Sequence, residues 1–237
     1  MASRVRPGYW NTLSTRAPVF GPWMVEYVFG WCAWVTQKME TYREAQRARL
    51  WIATAPDRLR GKTLAIVGLG EIGRSLARAA AAFGMRVTGV SRTGRRVVNV
   101  DRVYRPRQLM RALAGADFVV LALPLTPDTR GLIGGRELAA MRPGAWLVNI
   151  ARGPIVREQA LVEALQARRI AGAILDVFEQ EPLSPAHPLW ELPNVVITPH
   201  VAGPSTPDEI AEVFNENLRR YAQGRRLAHL VDRRRGY

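Results

Sequence analysis

The sequence predicts a doubly wound α/β domain built around a mostly parallel β-sheet. Short, continuous apolar segments alternate with helical segments from Leu64 to Gln223. Continuous apolar strands are typical of sheets that are buried on both faces, and strands that alternate with helices are typical of parallel crossover connections. A third observation is a glycine-rich turn that follows the first strand and precedes an alanine-rich segment.

The N-terminal part precedes this pattern. Residues 1–17 are polar, basic and irregular, and a helix is predicted from Pro22 to about Trp51, since proline is favoured in the first turn of a helix. The segment Val19–Val35 is strongly apolar and rich in tryptophan, but it is short for a membrane span and contains Glu26. We therefore predict a buried or dimer-forming helix and no membrane association.

The later elements follow from the apolar runs and the glycines and prolines that bound them. The predicted strands are Leu64–Val67, Arg86–Val90, Asp117–Leu123, Ala145–Ile150, Ala171–Leu175 and Val195–Thr198. The predicted helices are Glu71–Phe83, Leu109–Ala114, Glu158–Ala167 and Pro207–Gln223, the last being followed by a basic tail.

The composition is that of a globular protein with a substantial core. The 237 residues are 48% hydrophobic and 23% charged, with a formal net charge of +14. Arginine supplies nearly all of the positive charge. It is scattered along the chain in short clusters such as Arg233–Arg235, so a general preference for arginine explains it better than a nucleic-acid surface does. Cys32 is the only cysteine, and the start of the chain has no signal-peptide pattern, which favours the cytoplasm.

The glycine-rich turn predicts a dinucleotide site. Leu64–Val67 leads into Gly68-Leu69-Gly70-Glu71-Ile72-Gly73, and a helix follows. In this setting Gly68 allows a tight turn, Gly70 lets the backbone approach a pyrophosphate, and Gly73 allows the helix to pack closely on the strand. The sequence thus indicates a Rossmann-type NAD(P)-binding domain; the alternative is a glycine turn that binds no ligand.

The end of the second predicted strand bears on the choice of cofactor. An acidic residue there would bind the free ribose of NAD, but this chain has Ser91-Arg92-Thr93 instead. The guanidinium of Arg92 can bind a 2′-phosphate, and the two hydroxyls can donate to it. We therefore expect NADP as the preferred cofactor and NAD as the alternative.

Polar residues at the ends of the other strands predict a reductase site. Ligands of such sheets bind beyond the carboxyl ends of the strands, where Arg152, Asp176 and His200 lie in the sequence, with Glu181 nearby. A histidine can donate a proton to a carbonyl oxygen near neutral pH, and Glu181 can fix its tautomer. Arg152 can bind a carboxylate and polarise a ketone. Each residue alone could be an ordinary loop or surface residue, but together they favour a site.

At these residues the chain resembles the D-isomer-specific 2-hydroxyacid dehydrogenases. Besides the glycine turn, the matching stretches are Leu59–Leu64, Leu123–Pro127, Asn149–Gly153, Asp176–Pro182 and Asn194–His200. The resemblance runs from about Asn11 to the C-terminus, and the Ser-Arg-Thr segment is most similar to the NADP-using glyoxylate/hydroxypyruvate reductase branch.

The resemblance implies that Arg152 binds substrate, that Glu181 and His200 form the acid–base pair, and that Asp176 lies near the nicotinamide. The complete set of expected cofactor contacts is Gly68, Gly70, Glu71, Ile72, Gly73, Ser91, Arg92, Thr93, Leu123, Pro124, Thr126, Ile150, Arg152, Asp176 and His200. No metal site is expected.

The resemblance also predicts the domain organisation. We expect residues 56–203 to form the dinucleotide-binding domain, residues 1–55 to be a remnant of a substrate domain with a linking or dimer helix, and residues 204–237 to be a C-terminal helix and basic tail. The resemblance also implies that most of the smaller substrate domain of the family precedes the point at which this sequence starts. A fragment, a displaced start, or a protein whose partner completes the site would each account for this.

Three functions are therefore compared. The first is reduction of a small 2-keto acid to a 2-hydroxy acid by a homodimer. The second is a dinucleotide-binding dimer with little or no catalysis, of the kind that the family includes among corepressors. A nucleic-acid binder, which only the charge suggests, ranks last.

Overall fold

The computed structural model describes residues 19–228 and residue 230. The irregular segment predicted for residues 1–17 and most of the basic tail, including Arg233–Arg235, lie outside the described residues. The chain divides into two units, of which one is Gly21–Gly203 and the other includes the residues from Pro204 onward.

The described residues form seven α-helices and seven β-strands. The helices are α1 Phe20–Thr36, α2 Met39–Arg47, α3 Glu71–Ala82, α4 Leu109–Leu113, α5 Gly135–Ala140, α6 Glu158–Gln166 and α7 Pro207–Ala222. The strands are β1 Thr63–Val67, β2 Arg86–Val90, β3 Arg102–Tyr104, β4 Phe118–Leu121, β5 Trp146–Asn149, β6 Gly172–Leu175 and β7 Val195–Ile197.

The strands pair into one seven-stranded sheet in the order β3-β2-β1-β4-β5-β6-β7. Every pair is parallel, as between Leu64 of β1 and Phe118 of β4. The direction in which the strands are added changes between β1 and β4, which is where ligands bind in sheets of this kind. The predicted doubly wound parallel sheet is confirmed.

Both faces of the sheet are covered, which explains why β1 is buried along its whole length. Ala65 and Val67 of β1 belong to a core that includes apolar residues of α4, α5 and α6. Leu64 and Ile66 belong to a second core with residues of α1 and α3. On this second face, the ring of Phe29 in α1 stacks on that of Phe83 at a centroid distance of 5.0 Å.

The single long helix predicted from Pro22 to Trp51 is wrong. The chain forms α1 and α2 instead, with Lys38 between them in the left-handed region at φ 55°. This conformation breaks the helical path, because L-residues cannot continue a right-handed helix through it. The helix α2 ends at Arg47, and Trp51 is completely exposed in a segment without regular secondary structure.

Two elements were missed by the sequence analysis, which placed six strands. The seventh, β3, has three residues, begins with an exposed arginine and lies at the edge of the sheet, so no apolar run marks it. The helix α5 has six residues and begins at the second of two successive glycines, Gly134 and Gly135, which predict a turn more strongly than a helix.

The unit that includes Pro204 contains α7, whose start is specified locally. Thr206 caps the helix by accepting a hydrogen bond from the Glu209 N–H, and the Glu209 side chain accepts one from the Thr206 N–H at 2.8 Å. Across residues 19–228 and 230, no helix has both the length and the apolar character needed to cross a membrane.

Candidate functional site

The glycine turn joins the ends of two strands next to the change in strand order. Gly68 has φ +106°, and its N–H donates to the carbonyl of Val90 at 3.0 Å, which ties the end of β1 to the end of β2. A Cβ atom at Gly68 would collide with the Ala122 carbonyl, and one at Gly73 would collide with the Gly68 carbonyl. Both glycines are therefore required by the packing of this turn.

Gly70 differs from these two glycines in a way that indicates a ligand. Its φ of −71° suits any residue, and a Cβ atom added there would meet nothing within 4 Å. Packing within the chain thus gives no reason for a glycine, whereas close approach of a phosphate to the backbone does. Gly70 is the N-cap of α3, whose first N–H groups have no partner inside the helix and attract an anion. The turn therefore fits the pyrophosphate of a dinucleotide, with Glu71 and Ile72 beginning the helix behind it.

The turn after β2 presents two of the predicted residues to solvent. The Ser91 N–H donates to the Tyr104 carbonyl at 3.0 Å, and the Ser91 hydroxyl accepts from the Gly94 N–H at 3.2 Å. Arg92 and Thr93 are exposed at the tip of this turn. A side chain on the residue after them, Gly94, would strike the aliphatic part of the Arg105 side chain.

Arg105 is therefore a residue of this turn that sequence reasoning missed. A Cβ atom at Gly94 would lie 2.8 Å from its Cγ and 3.2 Å from its Nε. The sequence carried no local signal for this, because Arg105 follows β3, the strand that was not predicted.

The turn after β4 is held by a threonine that was not singled out. The Thr129 hydroxyl donates to the Pro124 carbonyl at 2.7 Å and accepts from the Thr126 N–H at 2.7 Å. This arrangement fixes the backbone at two of the predicted contacts, Pro124 and Thr126. Leu123, a third, packs against the core beneath them.

Asn149 shapes the turn that carries Arg152. Its amide donates to the Arg152 carbonyl at 3.2 Å, and its side-chain oxygen accepts from the Ala151 N–H at 3.1 Å. Ile150 is buried in this turn, whereas Arg152 is exposed and donates to the Ala151 carbonyl. The guanidinium thus stays at the surface with donors left over for an anion.

Asp176 organises the loop after β7. Its buried carboxylate accepts hydrogen bonds from the Thr198 hydroxyl at 2.5 Å, the Val201 N–H at 2.8 Å and the Ala202 N–H at 2.9 Å. Its own carbonyl accepts from the His200 N–H at 2.9 Å. The carboxylate of Asp176 is therefore turned towards its own chain, and it holds the loop that carries His200.

Glu181 and His200 are brought together across two loops. His200 Nδ1 lies 2.8 Å from Glu181 Oε2, and the other Glu181 oxygen accepts from the Phe178 N–H at 2.9 Å. Burial raises the pKa of Glu181, whereas the hydrogen bonds from His200 and Phe178 and the charges of His200 and Arg152 lower it. The lowering effects together are larger than the effect of burial, so the pKa of Glu181 lies below its ordinary value. Because an ionised carboxylate only accepts, the proton of this bond is on Nδ1. Nε2 has no hydrogen-bond partner among the described residues.

Tyr27 of α1 is a further residue that sequence reasoning did not find. Thr198 uses its single proton to bond Asp176, so the Tyr27 hydroxyl, 2.6 Å from the Thr198 hydroxyl, donates to it. Burial, together with the nearby Asp176, raises the pKa of Tyr27 to about 12 against the effect of the Thr198 bond, so the phenol stays protonated. Tyr27 thus supports the loop of His200 from the opposite end of the sequence, which no local motif could reveal.

The carboxyl edge of the sheet thus combines a glycine turn that fits a pyrophosphate, an exposed Arg92 and a carboxylate–imidazole pair. In comparisons with known proteins, residues 30–202 match the family model of the D-isomer specific 2-hydroxyacid dehydrogenase, NAD binding domain. The chain belongs to this family. The resemblance predicted from the sequence motifs is confirmed.

Relatives in this family include proteins named as reductases. A glyoxylate reductase of Aeropyrum pernix is 46% identical over 177 residues, which are 74% of this chain and 53% of that protein. A glyoxylate/hydroxypyruvate reductase A of Photorhabdus laumondii is 34% identical over 90% of this chain and 68% of its own length. The chain thus spans about half to two thirds of the curated relatives that it matches.

Solved structures of the family have the same fold. A D-isomer specific 2-hydroxyacid dehydrogenase from Xanthobacter autotrophicus in complex with NADPH and MES is 38% identical, with a TM-score of 0.87 over 94% of this chain and 93% of that chain. An NADPH-dependent glyoxylate/hydroxypyruvate reductase from Sinorhizobium meliloti in complex with NADP and sulfate is 33% identical, with a TM-score of 0.86 over 92% of this chain and 71% of that chain.

The described part of this dehydrogenase-family chain contains no group of three or more histidine, cysteine, aspartate or glutamate residues that could hold a metal ion.

Proposed function

We propose that this protein reduces a small 2-keto acid of the glyoxylate or hydroxypyruvate type to the 2-hydroxy acid, with NADPH as the preferred cofactor. The observation that carries the proposal is the 2.8 Å contact between Glu181 and His200 at the carboxyl edge of a sheet with a phosphate-binding glycine turn. Membership of the dehydrogenase family and the reductases among the relatives support it.

The division of labour among the residues follows from their chemistry. When bound, the reduced nicotinamide supplies a hydride to the carbonyl carbon. His200, held through Nδ1 by Glu181, has Nε2 free to give a proton to the carbonyl oxygen. The ionised Glu181 accepts the hydrogen bond from His200 Nδ1 and so fixes the orientation of the ring, and the exposed guanidinium of Arg152 can bind the substrate carboxylate with two parallel hydrogen bonds.

The preference for NADPH rests on the turn after β2. Arg92 and Thr93 are exposed there, and the side chain of Arg105 lies against the same turn at Gly94. A doubly charged 2′-phosphate would be bound by guanidinium groups, whereas the hydroxyl of NADH would gain little from them. The solved relatives from Xanthobacter and Sinorhizobium hold NADPH or NADP, which supports the same cofactor.

The test is oxidation of NADPH and of NADH by the whole chain, with glyoxylate and hydroxypyruvate as substrates. The His200→Asn variant should lose turnover while binding NADPH normally, because asparagine tolerates the left-handed backbone of this position but supplies no acid. Turnover of this variant at the wild-type rate would overturn the assignment of His200.

The cofactor preference has its own test. Arg92→Ser should lower the ratio of NADPH to NADH efficiency by about tenfold or more, as expected when one charge-assisted interaction is lost. Arg78→Ser is the control, since Arg78 is an exposed arginine on α3 outside this turn. An unchanged ratio in Arg92→Ser would contradict the NADP assignment.

We further propose that the protein is a cytoplasmic homodimer, that residues 56–203 are its dinucleotide-binding domain, and that residues 1–55 and 204–237 are the flanking segments.

Gly30 supports a dimer through α1, because it lies exposed in the middle of this helix and a Cβ atom there would meet nothing within 4 Å. If no second copy covers it, Gly30→Ala should stabilise the chain by about 0.5–1 kcal/mol through helix propensity alone. If α1 crosses a second copy there, Gly30→Trp should shift the mass measured by light scattering from dimer to monomer.

The second candidate function is a dinucleotide-binding dimer without efficient catalysis. It requires only the dinucleotide-binding fold and its glycine turn, and both are found in the described residues. Tight NADPH binding with no turnover over a panel of 2-keto acids would select it.

A further inference from the structure

The protein contains a second carboxylate–imidazole pair that none of the proposed roles uses. His187 Nε2 lies 2.9 Å from Glu158 Oε1. These two side chains are only 19% and 23% exposed, whereas those of His200 and Glu181 are 50% and 37% exposed. The second pair is therefore the better buried of the two, and a buried polar pair of this kind requires an explanation.

The tautomer of His187 is set by the backbone. The Leu189 N–H donates to His187 Nδ1 at 3.2 Å, so Nδ1 carries a lone pair. The ring proton is then on Nε2 and is donated to Glu158. With its acceptor nitrogen occupied by Leu189 and its donor nitrogen by Glu158, the ring of His187 holds the Glu158 carboxylate in one orientation.

The other oxygen of Glu158 reaches the loop that carries Glu181. Glu158 Oε2 accepts from the Glu179 N–H at 3.4 Å. The N–H of Phe178, the residue before Glu179, donates to Glu181 Oε1 at 2.9 Å. Two successive amides of one loop are thus bound by two carboxylates, of which one pairs with His187 and the other with His200.

Glu158 lies at the start of a helix that packs into the core, whereas the loop that carries Glu181 has no regular secondary structure. It is the first residue of α6, where a negative charge is favoured by the helix dipole, and Leu161, Val162 and Leu165 of this helix are buried in the core. The residues from Phe178 to Pro182 have no regular secondary structure. Gly153 packs against the peptide between Phe178 and Glu179 so closely that a Cβ atom would collide with it.

We propose that Glu158 and His187 are positioning residues, which hold the Phe178–Pro182 loop so that the carboxylate of Glu181 is aimed at His200 Nδ1. The inference rests on the proposed function for its effect on turnover, but its structural claim concerns His200 directly. A carboxylate that orients a catalytic imidazole must be held to within fractions of an ångström. The exposed Glu181 side chain obtains this precision from its loop.

The first test is Glu158→Gln, with Glu163→Gln as the matched control. Glu163 lies on the same helix, is exposed, and bonds only the side chain of Gln159 among the described residues. Glu158→Gln should lower kcat for glyoxylate reduction by about tenfold with an unchanged Kd for NADPH, because only the geometry of the acid–base pair is altered. Glu163→Gln should behave as the wild type in both measurements.

The second test separates positioning from a general structural role and needs no turnover. The chain has three histidines, so the ring ¹⁵N resonances of His200 can be assigned through His200→Asn. In the wild type at high pH, the neutral ring of His200 should be protonated on Nδ1, since this atom donates to Glu181. In Glu158→Gln the neutral ring of His200 should shift towards the mixture of tautomers that is found in a free imidazole.

A pair of His187 variants keeps the proposal falsifiable if Glu158→Gln does not fold. His187→Gln retains an amide donor at the place of Nε2 and should keep the Nδ1-protonated tautomer of His200, whereas His187→Leu should lose it. A wild-type tautomer of His200 in both Glu158→Gln and His187→Leu would overturn the inference, whether or not the wild-type protein reduces glyoxylate. Wild-type kcat in Glu158→Gln would overturn it as well.

Discussion

His200 combines an exposed side chain with a backbone conformation that its residue type disfavours. Its φ of 58° lies in the left-handed region, which costs a non-glycine residue on the order of 1–3 kcal/mol when the surrounding structure enforces it. Asp176 supplies that enforcement, because its carbonyl accepts from the His200 N–H and its carboxylate accepts from the next two amides. The position of the imidazole therefore depends on a buried carboxylate whose hydrogen bonds are to its own chain.

Asp176→Asn tests this dependence. One side-chain oxygen becomes an NH₂ group facing an N–H donor, so at least one bond to a charged group is lost, which corresponds to about 1.5–3 kcal/mol of unfolding free energy. Urea denaturation should show this loss, and turnover should fall with it. Asp128→Asn is the control, since Asp128 is exposed, and an equal stability of both variants would contradict the role of Asp176.

The lowered pKa of Glu181 predicts how the stability depends on pH. Its folded pKa lies below the ordinary value of 4.5. The ionised carboxylate therefore contributes stability that is present above the unfolded pKa and is lost as the pH falls through the folded pKa. Urea denaturation of the wild type and Glu181→Gln should give a difference in unfolding free energy that shrinks as the pH falls below about pH 5, where Glu181 takes up a proton. A difference that grows below about pH 5 would show that burial, which raises the pKa, dominates instead.

At the scale of elements, the glycine turn between β1 and α3 separates the demands of folding from those of binding. Gly68 and Gly73 are needed by the fold, because side chains there would meet backbone carbonyls. Gly70 is not needed in this way, because a side chain there would point into open space. One turn of the chain thus contains glycines that are required for different reasons.

Gly70→Val should therefore fold normally and bind the cofactor poorly. Its unfolding free energy should stay within about 1 kcal/mol of the wild type, as is usual for surface substitutions, with a small cost for the weaker helix cap. Its Kd for NADPH, measured by fluorescence titration, should rise by tenfold or more because the side chain would occupy the space of the pyrophosphate. Gly68→Val is the matched comparison and should lose stability. Normal NADPH affinity in Gly70→Val would place the phosphates elsewhere.

At the scale of the whole molecule, the excess of positive charge suits the anionic ligands that we propose. The formal net charge is +14, and both the proposed dinucleotide and the proposed 2-keto acid are anions. A field of one sign raises the rate at which oppositely charged ligands arrive, and salt screens it. The charge is therefore consistent with small anionic ligands and requires no polyanionic partner.

The association rate of NADPH should fall several-fold as the salt concentration is raised from low to high ionic strength, because the Debye length shrinks from about 30 Å at 0.01 M to about 3 Å at 1 M. Stopped-flow fluorescence measures this rate. NADH carries fewer negative charges and serves as the internal comparison, so its rate should fall less. Equal salt dependence of the two cofactors would indicate that steering by the molecule's field plays no part.

The order of strands and helices was predictable from the sequence because each depends on residues that are adjacent in the chain. The strand–turn–helix unit from Leu64 to Gly73 is specified by an apolar run and three glycines, and β2 was predicted to the residue. The predicted pairing of Glu181 with His200 also agrees with the geometry, since both residues follow recognisable strands. Their catalytic role stays a prediction.

The features that the sequence did not reveal depend on contacts between distant segments. The strand β3 exists because β2 lies beside it, and the break at Lys38 is a backbone conformation that its residue type does not specify. Tyr27 meets Thr198 across 171 positions, and Glu158 meets His187 across 29. Apolar periodicity and glycine placement act over a few residues and so determine elements and their order, whereas only the folded sheet brings these side chains within hydrogen-bonding distance.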